Sequence, residues 1–430
     1  MPLCLLLLLT AAMAVAWRPA VAALTDTETG ALHFDPATIA RGANLAAIGS
    51  CATCHSATPA RPFAGGLALQ TPFGTVYSTN ITPDPHTGIG EWTQAAFARA
   101  MRDGVARDGH FLYPVFPYDH YTHLADDDIA ALYAYLMTRA PSVAPAHPNH
   151  LIFPLGWRPL LAGWNLLYLK KGPVASDAQR GAEWNRGAYL TEALGHCGSC
   201  HTPRNVLGAQ DLGRYLGGGE AEGWYAPALN ADSPSPLPWT VAQLTSYLRT
   251  GIAPGHAIAA GPMQGVTASL SQADESDVRA MAVYISSLMG TAPGARQAAT
   301  LQRAAQAGTQ SLPIPPAGGD AAAQQMTTGA AVYAGACARC HDGGRQATSA
   351  GALQMPLAVA VYDPDPRSLL HLIRDGVRPP AGQPGRWMPG FAAELSDEQQ
   401  LALAAYLRQY AANLAPWPDL AGALKKVKNP

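Results

Sequence analysis

Charge is scarce in this chain. Asp, Glu, Lys and Arg make up 13% of its 430 residues, about half the usual share of roughly 25%. The formal net charge is −2, so there is no basic field to draw in nucleic acid or an acidic lipid surface. No stretch beyond the N-terminus is long and apolar enough to read as a membrane-spanning helix. No hydrolytic triad or nucleotide-binding loop stands out, and Gly217-Gly218-Gly219 reads as an ordinary loop, not a phosphate cradle. A low-charge chain that is not a membrane bundle hides much of its surface against partners or cofactors. Glycine (42) and proline (37) are plentiful, which predicts short helices joined by much loop. The length predicts two to four domains.

The N-terminus has the pattern of an export leader. Leu3 to Trp17 is an apolar run with five consecutive leucines, and Ala20-Val21-Ala22 follows as a small-x-small cleavage site. Residues 1–22 are therefore expected to be a signal peptide. One feature departs from the usual pattern: no Lys or Arg precedes the run. The run falls short of the ~20 residues a spanning helix needs, which argues against an uncleaved anchor. The expected location is the periplasm.

Only seven cysteines occur, and apart from Cys4 all lie in pairs: Cys51 and Cys54, Cys197 and Cys200, Cys337 and Cys340. Each pair is followed at once by a histidine, His55, His201 and His341. Two cysteines three apart can form thioethers to the two vinyl groups of one haem, and the next histidine can then turn its imidazole onto the iron. A zinc site would need a second Cys or His pair at finger spacing, and none is evident. A dithiol of the thioredoxin type has no need of the histidine. Three such motifs predict three covalently bound haems c.

The surroundings of the motifs repeat as well. A short helical stretch with a glycine precedes each: Gly42, Gly187 and Gly329. An amphipathic helix announced by acidic residues follows each, at Asp126-Asp127-Asp128, Asp274-Glu275 and Asp397-Glu398, and carries Tyr135, Tyr284 or Tyr406. A glycine on one helix facing an aromatic on another permits a close crossing. Repeats of roughly 100 residues argue for separate similar domains and against a solenoid. The expected domains are 36–140, 179–290 and 324–413. An apolar linker at 141–178, an Ala/Pro/Gly linker at 291–323 and a tail at 414–430 complete the chain.

The repeats also indicate the sixth ligands. Each has an Arg-x-Gly turn: Arg102-Asp103-Gly104, Arg249-Thr250-Gly251 and Arg374-Asp375-Gly376. Twelve residues beyond the glycine stand Phe116, Met263 and Met388 respectively. Met263 and Met388, each beside a proline, are expected to ligate haems two and three, and methionine ligation raises the potential. Met281 and Met355 read as core. Phe116 has no lone pair, so the first haem is expected to take His120. Met101, His110 and His123 are the other donors nearby, and a five-coordinate iron is the remaining alternative.

These residues resemble the three-haem cytochrome c subunits of periplasmic, membrane-associated dehydrogenases, over roughly residues 36 to 415. Matching stretches include Thr71-Pro72-Phe73-Gly74, Ser78-Thr79-Asn80-Ile81-Thr82, Gly223-Trp224-Tyr225-Ala226-Pro227 and Ala260-Gly261-Pro262-Met263. The resemblance implies a mainly α fold of three tandem class I cytochrome c domains with loop-rich linkers. It also implies electron transfer from a dehydrogenase catalytic subunit to membrane ubiquinone or a terminal oxidase, with peripheral attachment to the cytoplasmic membrane. Such a chain is not expected to be catalytic alone. The alcohol dehydrogenase branch generally has methionine where this chain has Phe116. Leu112 to His120 and Ala360 to Pro366 look more like the cytochromes beside molybdenum hydroxylases. The expected partner is thus a molybdopterin subunit with a small iron–sulfur subunit, a quinoprotein or flavoprotein being the alternative. Two competing functions are a free-standing multihaem shuttle and a peroxidase using an open first haem.

Overall fold

A computed structural model of the chain describes residues 16–290, 294–309, 311–316, 318–342, 352–379 and 388–429. Most of the leader's apolar run, part of the 291–323 linker and Trp387 lie outside the described residues. The fold is mainly α, with a few short antiparallel strand pairs. The chain divides into two compact units: residues 1–197 with 269–281, and residues 198–268 with 282–430.

The first unit opens with α1 (Asp26–Ala31) and α2 (Pro36–Ile48). Asp35 caps α2, its Oδ1 accepting from Ala37 N and Thr38 N at 3.0 Å, with Pro36 at the first helical position. There follow α3 (Cys51–His55), β1 (Ala68–Thr71), β2 (Gly74–Tyr77), α4 (Gln94–Asp103), α5 (Tyr118–Tyr121), α6 (Asp126–Met137), β3 (His150–Leu151), α7 (Leu160–Tyr168) and α8 (Ala182–Tyr189). The three acidic residues opening α6 complement its N-terminal dipole. Helices α2 and α6 cross at Gly42, where a Cβ would lie 2.0 Å from the Ala131 carbonyl oxygen and 2.7 Å from Tyr135 Cβ. The strands form one antiparallel sheet in the order β1-β2-β3, with Ala68 opposite Tyr77 and Gly74 opposite Leu151.

The second unit holds α9 (Gly198–His201), the hairpin of β4 (Gly219–Ala221) and β5 (Trp224–Ala226), α10 (Val241–Thr250) and the hairpin of β6 (Ile252–Ala253) and β7 (Ala257–Ile258). Helix α11 (Pro262–Leu270) leads toward α12 (Glu275–Leu288), whose first residues belong to the first unit. Then come α13 (Gly294–Thr309), α14 (Ala321–Val332), α15 (Ala338–His341), α16 (Arg367–Asp375), α17 (Asp397–Tyr410) and α18 (Leu420–Lys428). Helices α14 and α17 repeat the crossing of α2 and α6. A Cβ at Gly329 would lie 2.3 Å from the Ala402 carbonyl oxygen and 2.6 Å from Tyr406 Cβ. Tyr333, Tyr406, Leu370, Leu403 and Val361 fill the core around that crossing. In the middle repeat Tyr284 is likewise buried.

The compact units do not follow the three repeats. In the first unit Asp277, from α12, accepts two bonds from Arg186 of α8 at 2.9 Å and one from Asn44 of α2 at 2.8 Å. Buried Asp128 of α6 accepts from the Tyr189 hydroxyl at 2.6 Å and pairs with Arg41 at 2.6 Å. These bonds join the first helix of the second repeat to the first repeat.

Candidate functional site

Each Cys-x-x-Cys-His motif ends in a short helical turn, α3, α9 or α15. The helical pitch sets residues three apart on one face, so both sulfurs of a pair can reach one planar group. The approach to the first two turns is sharply bent. Ser50 and His196, the residues before Cys51 and Cys197, have φ of 50° and 38°. A π-helical turn at Leu190–Leu194 precedes the second motif, and another, Tyr333–Cys337, runs into the first cysteine of the third, an irregularity that recurs at functional sites.

The three motif histidines share one arrangement. Nδ1 of His55 meets the Thr79 carbonyl oxygen at 2.6 Å, His201 that of Pro227 at 2.6 Å, and His341 that of Leu353 at 2.8 Å. A ring that donates from Nδ1 presents Nε2 with a free lone pair, the form a metal takes. Burial lowers the pKa of all three, against the smaller opposing effect of these bonds, so the neutral ring is favoured. Two of the acceptors come from the stretches Ser78–Thr82 and Gly223–Pro227, which gives those stretches a physical role.

The six motif cysteines form no disulfides. Burial pushes the Cys51 and Cys337 thiols up to about 12 and raises Cys200, so they are not poised as thiolate nucleophiles. Among the described residues no cluster of three or more His, Cys, Asp or Glu could hold a metal ion. The donor set fits covalent haem: a free cysteine pair three residues apart, then a neutral, oriented imidazole.

The Arg-x-Gly turns are helix ends. Gly104, Gly251 and Gly376 have φ of 61°, 72° and 71° and stop α4, α10 and α16. In the first two repeats the glycine carbonyl accepts from the residue eight on, Leu112 or Ala259, at 2.7 Å. Phe116 and Met263 follow four residues later in each. The third repeat is registered differently. Val377 pairs with Met388 through two 2.9 Å backbone bonds, whereas Val105 pairs with Phe111 and Ile252 with Ile258. Counting residues aligns Met388 with Met263, but backbone pairing sets it level with Phe111 and Ile258, because the intervening loop is longer.

Around the first motif, Phe116 packs on Tyr121 with ring centroids 5.3 Å apart. His120 is buried, and its Nδ1 meets the Glu192 carbonyl oxygen at 2.5 Å. His196, which sequence reasoning missed, lies 6.4 Å from His120 between ring centroids and faces the Gly49 carbonyl oxygen at 3.4 Å. The other candidates have different settings. Met101 and Met281 are core residues, Met355 packs against the core, His110 pairs with Asp108 at 2.6 Å, and His123 meets the Gly172 carbonyl.

A mainly α chain with free cysteine pairs, each followed by a neutral imidazole held by a backbone carbonyl, and with glycine-notched helix crossings has the features of a c-type cytochrome. Models of two families agree: cytochrome c over residues 39–140 and cytochrome C oxidase, cbb3-type, subunit III, over 324–407. The chain is 35% identical over 402 residues to the fructose dehydrogenase cytochrome subunit of Gluconobacter japonicus, covering 91% of this chain and 82% of that one. It is 38% identical over 415 residues to the gluconate 2-dehydrogenase cytochrome c subunit of Pantoea cypripedii, covering 90% and 87%. Identity reaches 44% over 420 residues with one of the nicotinate dehydrogenase subunits of Pseudomonas putida; that match takes in 97% of this chain but only 34% of the relative's length. The chain belongs to the family of cytochrome c subunits of dehydrogenase complexes.

Proposed function

We propose that this chain carries electrons away from a periplasmic dehydrogenase through three haems c. The observation that carries this reading is the threefold recurrence of a cysteine pair followed by an imidazole whose Nδ1 is bonded to a backbone carbonyl. Haem bound at these turns supplies reversible one-electron chemistry. The chain's own residues do the rest. Cys51 and Cys54, Cys197 and Cys200, and Cys337 and Cys340 hold the three groups covalently within domains 36–140, 179–290 and 324–413. His55, His201 and His341 present Nε2 to the iron. Met263 and Met388 close the second and third sites with thioether sulfur. His120 closes the first, its Nδ1 bond to Glu192 matching the arrangement of the motif histidines. Two imidazoles give the first site a lower potential than the others and suit it to stand nearest the electron donor.

The catalytic partner oxidises an aldehyde, N-heterocycle or alcohol. The 44% identity to a nicotinate dehydrogenase subunit, beside 35% and 38% for the fructose and gluconate relatives, supports a molybdopterin-type partner with an iron–sulfur subunit. The acceptor is membrane ubiquinone or a terminal oxidase. No helix among the described residues is long and apolar enough to cross a membrane. Attachment to the cytoplasmic membrane is peripheral, through the exposed apolar segment that includes Phe153, Trp157, Leu166 and Leu167.

Purification of the tagged chain from its native host tests this reading. The expected result is three haems per chain, quantified as the pyridine haemochrome, together with a co-purifying dehydrogenase subunit that reduces them on addition of substrate. Two haems per chain, or a chain isolated alone that no dehydrogenase reduces, would overturn it.

A further inference from the structure

Trp224 lies outside the Cys-x-x-Cys-His motifs and the Arg-x-Gly turns, yet three groups of contacts converge on it. It opens β5, and its indole rests on Gly261, where a Cβ would come within 2.4 Å of Cε2. Gly261 has φ of 52° and begins the turn into Pro262 and Met263. The indole also stacks on His371 of α16, with ring centroids 4.5 Å apart and planes within 12°. His371 is buried, and its Nδ1 is held by Asp375 Oδ2 at 2.8 Å, which fixes the plane of the imidazole. The neighbouring residues secure the same contact. Arg367 of α16, itself paired with Asp365 at 2.9 Å, reaches Glu220 of β4 at 2.5 Å. The Ser368 hydroxyl donates to the Tyr225 carbonyl oxygen at 2.8 Å.

We infer that Trp224, backed by His371, is the positioning residue for Met263, so that a helix of the third repeat holds the ligand turn of the second. This rests on Met263 being the second haem's sixth ligand. A neutral thioether is a weak donor and stays on iron against water only when its loop is held. A non-glycine residue at 261 would displace the indole, and loss of the indole would leave the turn unsupported on that side. Such support also accounts for a tryptophan with no ligating role two residues after Glu222 in a hairpin of the second repeat.

The test uses the full haem-loaded chain. Trp224→Leu is expected to keep its full haem content while losing about half of the red absorption band of methionine-bound ferric iron, since two methionines contribute to it. One midpoint potential should fall while the other two stay. Trp224→Phe, which can still cover Gly261, should restore the band and the potential. A Trp224→Leu protein with the band and potentials of the parent would overturn the inference. If that variant loses haem altogether, His371→Leu decides, because it leaves the hairpin and the Gly261 turn intact: a weakened band supports positioning, and an unchanged one overturns it. A Met263→Leu control separates the two levels. A whole band in that control overturns the ligand assignment itself and this inference with it.

Discussion

A neutral histidine can be held by a backbone carbonyl or packed against an aromatic ring, and this chain has both arrangements. His55, His201 and His341 donate from Nδ1 to a backbone carbonyl, whereas His256 stacks on Trp239 with ring centroids 4.3 Å apart and its Nδ1 has no hydrogen-bond partner among the described residues. Burial lowers the pKa of His256 from 6.5 to about 4. The folded state then binds fewer protons than the unfolded chain between those values, so stability rises with pH across that window. Stability from this residue should be fully present above pH 6.5 and decline as pH falls toward 4, by at most roughly 3 kcal/mol. His256→Phe keeps the stack and should flatten that part of the pH profile, as read from denaturant unfolding at pH values on either side of the window. A second prediction concerns the first haem. His120→Ala should convert one haem of three to a high-spin ferric signal in electron paramagnetic resonance and leave the other two unchanged; an unaltered spectrum would assign the first sixth ligand elsewhere.

At the level of elements, the glycine-notched crossing recurs in the first and third repeats. The ideal Cβ at Gly42 would sit inside van der Waals contact of the α6 backbone, at 2.0 Å, so α2 and α6 would have to separate. Gly42→Ala is expected to cost about 1–3 kcal/mol by overpacking, measured by chemical denaturation. Gly30 is the control. It is helical, nothing lies within 4 Å of its Cβ direction, and Gly30→Ala should be neutral or stabilising by up to about 1 kcal/mol. Helix α7 poses a different question. Its nine residues span about 1.5 Å each, far less than a bilayer. Ala162 is buried, while Leu166 and Leu167 are 76% and 66% exposed. If these leucines meet a lipid surface, replacing both with serine should move most of the protein from the membrane pellet to the supernatant in sedimentation, without loss of haem. Unchanged sedimentation would assign attachment to another surface.

At the scale of the whole molecule, a polar network ties segments of the second repeat to the first. Asp277 joins α2, α8 and the start of α12. Burial pushes its carboxyl up, but Arg186, Asn44 and Arg41 together outweigh that effect and hold it below its ordinary range. A depressed carboxyl contributes stability above its unfolded pKa and loses it as pH falls through the folded value. Asp277→Ala should therefore destabilise the protein at neutral pH by about 1.5–3 kcal/mol, the worth of a hydrogen bond to a charged group. The deficit should shrink in strong acid, which paired unfolding curves of parent and variant would show. That network runs between repeats, so no spacing within one repeat could have revealed it.

The three cysteine pairs with their histidines, and the glycine-notched crossings of the first and third repeats, were legible in the sequence alone. Thioether attachment needs only two cysteines and a histidine on adjacent helical positions, and a close crossing needs only a glycine opposite a large side chain. Both are local or periodic, so they appear as motifs and repeats. The acceptors that orient the motif histidines, Thr79, Pro227 and Leu353, were not legible, because a backbone carbonyl leaves no mark in residue type. Nor was the register of Met388, which depends on which strand its backbone pairs with. The same holds for Trp224 on His371, a contact between residues 147 apart in the chain that share an environment only once two repeats have packed. Tertiary structure decided these, since hydrogen bonding and stacking depend on position in space and only weakly on separation along the chain.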